Sequence, residues 1–271
     1  MEEVLPRAEN SFVYSCTSSE KWGTEQFIAE HILAYQISGE THIFHQNGNL
    51  VLKKNRMLLA HKNQFAKSLK IPSSDKEYKV ISIILNTSFL KEIANQKGIA
   101  NHTKFVGKYN QVIKPDAFLK SYFQSLIPYV EMQHHTTSRM NFTKVLEAVG
   151  LLLNLNTGIS DFLFDFSEPH KIDLEDFMLK NYRFNAPLEN FALQTGRSLS
   201  AFKRDFFLSF KQTPAKWIKG KRLEKAYQLL HNENKKPADF YLELGFENLS
   251  HFYTAFKQKY GITPTESLHL D

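Results

Sequence analysis

The first 115 residues alternate short apolar segments with turns. The apolar segments are rich in β-branched and aromatic residues and cover 31–37, 41–45, 49–53, 56–61 and 78–85. Gly, Asn, Ser and Pro are concentrated between them, which is typical of turns. Several short strands separated by turns favour a β-sandwich or barrel over alternating strand and helix units. We therefore predict that this region consists of strands and turns.

Helical spacing replaces this pattern after Pro115. Apolar residues recur every three or four positions in 116–130, which predicts an amphipathic helix. The segment 139–158 carries a longer apolar stripe, which is typical of a domain core but also of a helix used for dimerisation. Both interpretations stay open, and the candidate dimer contacts are Leu146, Val149, Leu152 and Leu153. The segment that follows, 159–171, is the predicted linker.

The remaining hundred residues are predicted to be helices with short breaks. Six helices are expected, at 173–182, 187–195, 199–210, 214–231, 237–244 and 249–259. Two 28-residue segments, 187–214 and 237–264, share one layout. Each starts with Pro and has a short helix that ends at a Gly, then a polar turn, then a helix with two Phe residues four apart, and finally Thr-Pro. The shared order indicates two copies of one structural unit.

A helix, a tight turn with Gly and a second helix make up a helix-turn-helix, whose second helix lies in the major groove of DNA. Gly196 and Gly245 suit the left-handed backbone that such a turn needs, and Ser198 and Asn248 are candidate N-caps. The paired Phe residues should face the core, so the opposite side of each second helix should face DNA. The candidate DNA-binding residues on these sides are Ser200, Lys203, Arg204, Phe207, Leu249, Ser250, His251, Tyr253, Thr254 and Lys257.

The helix between the two units, 214–230, is predicted to hold them at a fixed separation. Its apolar residues should be buried, and they are Trp217, Leu223, Ala226, Leu229 and Leu230. Lys219 and Lys221 on the same helix are predicted to contact DNA phosphates without selecting a sequence.

Charge sharpens this picture only through its position. The whole chain has 34 Lys and Arg against 28 Asp and Glu, a net charge of +6 that by itself selects no partner. The segment 196–225 contains nine Lys and Arg against two Asp and Glu, a net charge of +7. Such a cluster is expected of a phosphate-binding face, although a solvated helix surface gives the same pattern.

The other candidate chemistry is sparse. Cys16 is the single cysteine, which fits a reducing compartment, and neither a signal peptide nor an apolar run of bilayer length is present, so we expect a cytoplasmic protein that does not enter a membrane. His42 and His45 should lie on opposite faces of a strand with no carboxylate at useful spacing, so no metal is predicted. We find no catalytic motif and expect no enzyme activity and no cofactor.

The C-terminal hundred residues resemble the DNA-binding domain of AraC/XylS-type bacterial transcription regulators. The segment 245–264 carries the resemblance through the order Gly-Phe, Ser-x-Phe, Phe-Lys and Gly-x-Thr-Pro. Ala192, the run Phe202-Lys203-Arg204 and the pair Arg222-Leu223 support it. The N-terminal half resembles the cupin-like sensing and dimerisation domain of the same family, less specifically, through 31–40.

The resemblance implies an α+β protein with two domains. Residues 1–165 would form a cupin-like β-barrel with following helices from about 116, and 172–271 an all-α domain with two helix-turn-helix units joined by a long helix. The implied function is sequence-specific regulation of transcription by a homodimer on a double-stranded DNA operator, with RNA polymerase as a partner if the protein is an activator. In this family such a domain can bind a small-molecule effector, and His31, Tyr35 and His61 are the candidate residues for its cavity, although a structural or surface role is the preferred interpretation of the two histidines.

Two departures from the family pattern change the expectation for the second unit. Tyr241 stands where the family usually has a small Ala, so that turn should pack differently. Thr254 stands where many members have an Arg that reaches DNA, so the first unit should discriminate bases more strongly. The alternative function is a cupin-type enzyme or sugar-binding protein with an accessory DNA-binding domain, which a metal analysis would separate from a regulator.

Overall fold

The computed structural model describes residues 11–23, 26–99, 104–131, 137–155, 158–167, 169–233 and 235–268. The chain divides into two compact units, residues 1–167 and 168–271. No helix in these described ranges is long and apolar enough to cross a membrane.

The N-terminal unit is built on two antiparallel sheets. Their strands are β1 (Phe12–Thr17), β2 (Lys21–Trp22), β3 (Phe27–Ile28), β4 (His31–Ser38), β5 (Glu40–His45), β6 (Gly48–Lys53), β7 (Met57–Ala60), β8 (Gln64–Ile71), β9 (Tyr78–Leu85) and β10 (Asn110–Ile113). One sheet has the order β1-β9-β4-β7-β10 and the other β2-β8-β5-β6, with β3 also paired to β8. The predicted α+β class is confirmed, but in the described part of the chain the strands form two open sheets and not a closed barrel.

Four helices cover one sheet of this unit. They are α1 (Thr87–Lys97), α2 (Ala117–Glu131), α3 (Ser138–Leu155) and α4 (Ile159–Leu163). Alternate residues of β4 and β9, such as Leu33 and Ile83, are fully buried and pack with helix residues such as Leu126 and Val149 in one core. Burial of this apolar area is the main free energy that holds the helices on the sheet.

Helix α1 corrects the prediction that the first 115 residues contain strands and turns alone. Leu90, Ile93 and Ala94 recur at helical spacing and are buried, while the rest of the helix is mostly polar and exposed. The first turn is capped from a distance, because the carboxylate of Glu30 accepts from the backbone N–H and the hydroxyl of Thr87 at 2.9 and 2.6 Å. The side chain of Asn86, the residue at the N-cap position, makes no capping hydrogen bond, so the cap of α1 comes from a residue distant in sequence.

The predicted linker 159–171 is also corrected in its first half. Ile159, Phe162 and Leu163 in α4, and Phe164 after it, are buried in the core of the N-terminal unit. This segment therefore belongs to the folded unit up to about its boundary at Ser167.

Burial in the core also reduces the set of candidate dimer contacts on α3. Val149 and Leu152 are fully buried within the core of their own unit, so they have no surface to offer a second copy. Leu146 and Leu153 are half-buried against that core and keep part of their surface exposed. The prediction of a dimer contact is therefore restricted to these two residues.

The C-terminal unit consists of helices joined by short turns. They are α5 (Leu174–Asn181), α6 (Leu188–Gln194), α7 (Leu199–Phe210), α8 (Pro214–Asn232), α9 (Pro237–Phe240), α10 (Leu249–Tyr260) and α11 (Pro264–Ser267). All five apolar residues predicted to be buried on the joining helix, now α8, are buried. Trp217 near the start of α8 packs with Phe206 and Phe210 of α7, and Leu230 near its end belongs to one cluster with Phe252 of α10. Helix α8 therefore contacts both helix-turn-helix units of the C-terminal unit.

Candidate nucleic-acid interface

The turns of the two helix-turn-helix units share one backbone geometry. Gly196 and Gly245 have φ values of +62° and +86°, the left-handed backbone predicted for both. One residue later, the N–H of Arg197 donates to the carbonyl of Ala192, and the N–H of Phe246 donates to that of Tyr241, both at 3.0 Å. These bonds satisfy carbonyls that a helix end leaves unpaired.

Tyr241 of the second helix-turn-helix unit packs differently from Ala192, its counterpart in the first. Helix α9 ends at Phe240, and residues 241–245 form turns, whereas α6 in the first unit continues to Gln194. Ala192 is buried, while Tyr241 keeps its larger side chain half-exposed at the edge of the core. The second unit therefore reaches the same turn from a shorter helix.

The recognition helix of the first unit is α7. The Ser198 hydroxyl accepts from the N–H of Ala201 at 3.3 Å, which confirms the predicted N-cap. Phe202 and Phe206 are fully buried and fix which side of the helix faces the core. The predicted DNA-binding residues of this helix are all exposed: Ser200, Lys203, Arg204 and Phe207.

The recognition helix of the second unit is α10. The Asn248 side chain accepts from the N–H of His251 at 2.8 Å, and Phe252 and Phe256 are fully buried. Of its predicted DNA-binding residues, the exposed ones are Ser250, His251, Thr254 and Lys257.

Leu249 and Tyr253, predicted to face outward on α10, are half-buried and pack on the core. Leu249 lies one turn before Phe252, and the Tyr253 hydroxyl is 2.8 Å from the hydroxyl of Thr265. Their positions next to the buried Phe row leave each side chain with only part of its surface for DNA.

The segment 196–225, with its net charge of +7, contains two arginines whose side chains donate to acceptors inside the C-terminal unit. Arg222 donates to the carbonyls of Tyr182, Gly245 and Phe184 at 2.9, 2.7 and 2.9 Å, and burial lowers its pKa to about 10. Its guanidinium thus ties the second turn to the segment after α5. It is not part of a phosphate-binding face.

Arg197, the second of these arginines, is tied to α7 through Asp205. Its side chain is 8% exposed, and it donates to Asp205 at 3.1 Å and to the carbonyls of Ile172 and Thr195 at 3.0 and 2.7 Å. The hydrogen bond from Arg197, followed by that from Arg204, lowers the pKa of Asp205 although partial burial acts in the opposite sense.

Asp205 also positions Arg204. The guanidinium of Arg204 lies 3.2–3.3 Å from one carboxylate oxygen of Asp205, while Arg197 binds the other oxygen. Arg204 remains 71% exposed, so a second face of its guanidinium is available to a base or phosphate. An arginine has five N–H donors, so binding to Asp205 and to DNA can occur together.

The two lysines predicted to bind phosphate differ in surroundings. Lys219 is exposed and donates to Gln258 of α10 at 3.2 Å, which places it beside the second recognition helix. Lys221 is half-buried, pairs with Glu224 at 3.1 Å and lies 5.9 Å from the ring centre of Trp217.

The three candidate effector residues lie in two separate places in the N-terminal unit. His31 and His61 are buried with their rings at right angles and 4.5 Å between centres, and both contact Phe162. Tyr35 instead contacts Phe123 and donates to the Asn55 side chain at 3.1 Å. The structure thus brings the two histidines together, whereas the ring contact of Tyr35 is with Phe123 and not with a histidine or Phe162.

The surroundings of the histidine pair favour its neutral form by lowering both pKa values. Burial, then the charges of His61 and Lys62, hold the pKa of His31 well below its usual value. Burial also lowers the pKa of His61, against opposing effects of the Lys62 carbonyl and of Asp165, whose carboxylate is 3.9 Å away. Among the described residues there is no group of three or more His, Cys, Asp or Glu side chains that could hold a metal ion.

Comparison with known families assigns both units. Residues 191–269 match the helix-turn-helix domain family, and residues 31–166, half of the chain, match the ExsA N-terminal regulatory domain family. The chain belongs to the AraC/XylS family of transcription regulators. The sequence resemblance is therefore confirmed for both halves of the protein.

Individual relatives match over shorter stretches. The HTH-type transcriptional regulator ExsA of Pseudomonas aeruginosa is 32% identical over 105 residues, which are 39% of this chain and 38% of ExsA. The virulence regulon transcriptional activator VirF of Yersinia enterocolitica is 33% identical over 94 residues, 35% of each chain. These matches span less than two fifths of either relative. A crystal structure of an apo variant of ToxT from Vibrio cholerae, with one lysine replaced by alanine, aligns with 96% of this chain and 98% of its own, with 14% identity and a TM-score of 0.46.

Proposed function

We propose that this protein is a sequence-specific DNA-binding regulator of transcription, and that it activates its target promoters. The observation that carries the proposal is the pair of helix-turn-helix units with equivalent turns, each presenting an exposed polar face on its second helix. Relatives with this family assignment are named as transcriptional regulators and activators, which supports activation. RNA polymerase is the partner that activation requires.

The two recognition helices contribute unequally to this function. Helix α7 presents Lys203 and Arg204 together, whereas α10 presents Ser250 in its first turn and Thr254 at its centre. An arginine that donates two hydrogen bonds to guanine is worth about 1–3 kcal/mol of discrimination, more than one hydroxyl contact supplies. The first unit therefore selects the base sequence, and the second adds weaker contacts.

The N-terminal unit supplies regulation and self-association in this proposal. Exposed parts of Leu146 and Leu153 on α3 are the remaining candidates for a homodimer contact. An effector site that includes His31, His61 or Tyr35 stays a prediction. The two histidines lie beside Phe162 of α4, whereas Tyr35 lies beside Phe123 of α2.

The decisive experiment replaces Arg204 on the proposed base-contacting face. A DNA sequence bound by the full chain is first obtained by in vitro selection, and its Kd is measured by fluorescence anisotropy. Arg204→Ala should raise that Kd more than tenfold, because ~2 kcal/mol, the middle of the value of such a contact, corresponds to roughly 30-fold.

Lys180→Ala is the matched control, because Lys180 on α5 is also an exposed cation paired to an acidic residue of its own helix, Asp176 at 2.7 Å. This variant should bind like the wild type. Equal affinity of the Arg204→Ala variant and the wild type, with the unfolding midpoint unchanged, would contradict the assigned role of α7.

A further inference from the structure

An apolar pair interrupts the charged and polar face of α7. Phe207 is 54% exposed and Leu208 is 62% exposed, in the same helix that buries Phe202 and Phe206 completely. Since successive residues of a helix are turned by roughly 100°, Phe207 and Leu208 lie on either side of Arg204, one turn further along. Lys211 is exposed at the end of the same face.

The ligand of this face has to match both kinds of side chain. Arg204 and Lys211 favour a partner that carries negative charge, whereas Phe207 gains free energy only when its exposed ring covers an apolar group. The major groove of DNA offers both at close range, because phosphates line its edges and the 5-methyl group of thymine projects from its floor. A protein partner would need an apolar socket set between two acidic groups at the same spacing.

We propose that Phe207 packs against the 5-methyl group of at least one thymine in the DNA sequence that α7 contacts. The first unit then selects thymine by apolar contact, beside the hydrogen bonds that Arg204 makes. This inference rests on the proposed function, since it requires α7 to lie in the major groove.

Deoxyuridine provides a direct test, because it differs from thymidine by that methyl group alone. Each thymine of the selected DNA is replaced in turn by deoxyuridine, and Kd is measured for the full-length wild type and for Phe207→Ala. At a contacted thymine the wild type should bind the deoxyuridine duplex about fourfold more weakly, as expected for burial of one methyl-sized group. Phe207→Ala should bind the thymine duplex more weakly and lose the difference between the two duplexes at that position.

Two further variants separate apolar contact from general damage. Phe207→Leu keeps an apolar side chain and should keep part of the thymine preference. Phe118→Ala removes a phenyl ring that is 72% exposed in the N-terminal unit and should behave as the wild type. The unfolding midpoint of each variant verifies that the C-terminal unit is folded.

Several results would overturn the inference. One is a selected DNA sequence in which no thymine shows a deoxyuridine effect above twofold, and another is a Phe207→Ala variant that keeps the full wild-type ratio. A Phe207→Ala variant that keeps DNA affinity and thymine preference but loses activation with purified RNA polymerase would show that Phe207 and Leu208 bind protein instead of DNA. Failure of the chain to select any DNA sequence would overturn the proposed function itself and this inference with it, a result distinct from tight binding without a methyl effect.

Discussion

At the scale of single residues, the C-terminal unit depends on one guanidinium that is turned inward. Arg222 gives three hydrogen bonds to backbone carbonyls in two separate turns. Removing it would leave those carbonyls without their donor in a partly buried place, and an unsatisfied buried acceptor costs about 1–3 kcal/mol.

We therefore predict that Arg222→Met lowers the free energy of unfolding of the C-terminal unit by about 3 kcal/mol or more. The chain has two tryptophans, and a Trp22→Phe background leaves Trp217 of α8 as the fluorescent reporter of this unit during urea unfolding. The neighbouring Lys221→Met should cost no more than about 1 kcal/mol, as for a surface ion pair. Equal losses for the two variants would show that Arg222 has no special structural role.

Arg222 and Arg197 also show what charge counting leaves out. Both contribute to the +7 of 196–225, and nothing in the local sequence distinguishes them from Lys203 or Arg204. Their acceptors, such as the carbonyls of Tyr182 and Ile172, are separated from them by 40 and 25 residues. The direction of each side chain is therefore fixed by tertiary contacts, which residue spacing does not encode.

At the scale of elements, the two turns depend on glycine for two reasons that can be separated. A Cβ at Gly196 would lie 2.3 Å from the carbonyl carbon of His170 and 2.5 Å from the nitrogen of Lys171. Gly261 at the end of α10 has a similar left-handed backbone, with φ of +79°, but a Cβ there meets nothing within 4 Å.

Gly261→Ala should therefore cost only the strain of a left-handed alanine, about 1–2 kcal/mol. Gly196→Ala has the same strain and also a backbone clash, so we predict a loss larger by at least about 2 kcal/mol, the scale of overpacking in a dense interior. The measurement is urea unfolding followed by Trp217 fluorescence. If both alanine variants unfold at the same urea concentration, the close approach at Gly196 plays no part in stability.

The elements that could be predicted are those whose ends are marked locally. Ser198 and Asn248 as caps, Gly196 as a stop and the paired Phe residues lie within a few positions of each other, and helices α6, α7 and α10, which they define, are confirmed. The helix predicted at 237–244 is wrong in its second half, because α9 ends at Phe240 and Gly245 lies in the turn that follows. Helix α1 was missed although Gly98 marks its end locally; its start is capped by Glu30, from 57 residues earlier in the chain. The first half of the predicted linker was wrong because the apolar residues of α4 are buried by a sheet that is distant in sequence.

At the scale of the whole molecule, acid should destabilise the N-terminal unit. His31 and His61 are buried in the N-terminal unit with lowered pKa values. Each takes up a proton near pH 6.5 when unfolded but only at lower pH when folded, so the unfolded state binds more protons below about pH 6.5. Stability is fully present above that pH and is lost as the pH falls. Asp165 affects stability at a lower pH than the histidines. Burial raises the pKa of Asp165, but hydrogen bonds from Ser167 and Phe105 outweigh it and lower this pKa. The contribution of Asp165 to stability is therefore lost only in the acid range in which carboxylates titrate.

We predict that the free energy of unfolding of the N-terminal unit falls between pH 7.5 and 5 by at most about 1.4 kcal/mol per pH unit for each histidine. Trp22 in a Trp217→Phe background reports this unit. His31→Leu should flatten the pH dependence, whereas His251→Gln, on the exposed face of α10, should not change it. A pH profile that stays the same after His31→Leu would assign the acid sensitivity to other groups.

The salt dependence of DNA binding tests how much of the +7 segment reaches phosphate. Of its nine cations, Arg197 and Arg222 bind internal acceptors, and Lys221 and Lys225 lie 3.1 and 4.0 Å from Glu224 and Glu233. The exposed remainder is Lys203, Arg204, Lys211, Lys216 and Lys219.

Each cation that neutralises a phosphate adds about 0.9 to the slope of log Kd against log salt concentration, because it releases a condensed counterion. Lys219→Ala should therefore lower this slope by about 0.9 without changing which DNA sequence is selected, and Lys221→Ala should lower it by less, because Glu224 already neutralises part of its charge. Anisotropy titrations between about 50 and 200 mM salt cover the range in which the effect is large. Equal reductions for the two variants would mean that DNA displaces the Lys221–Glu224 pair, and no reduction for Lys219 would place α8 away from the phosphates.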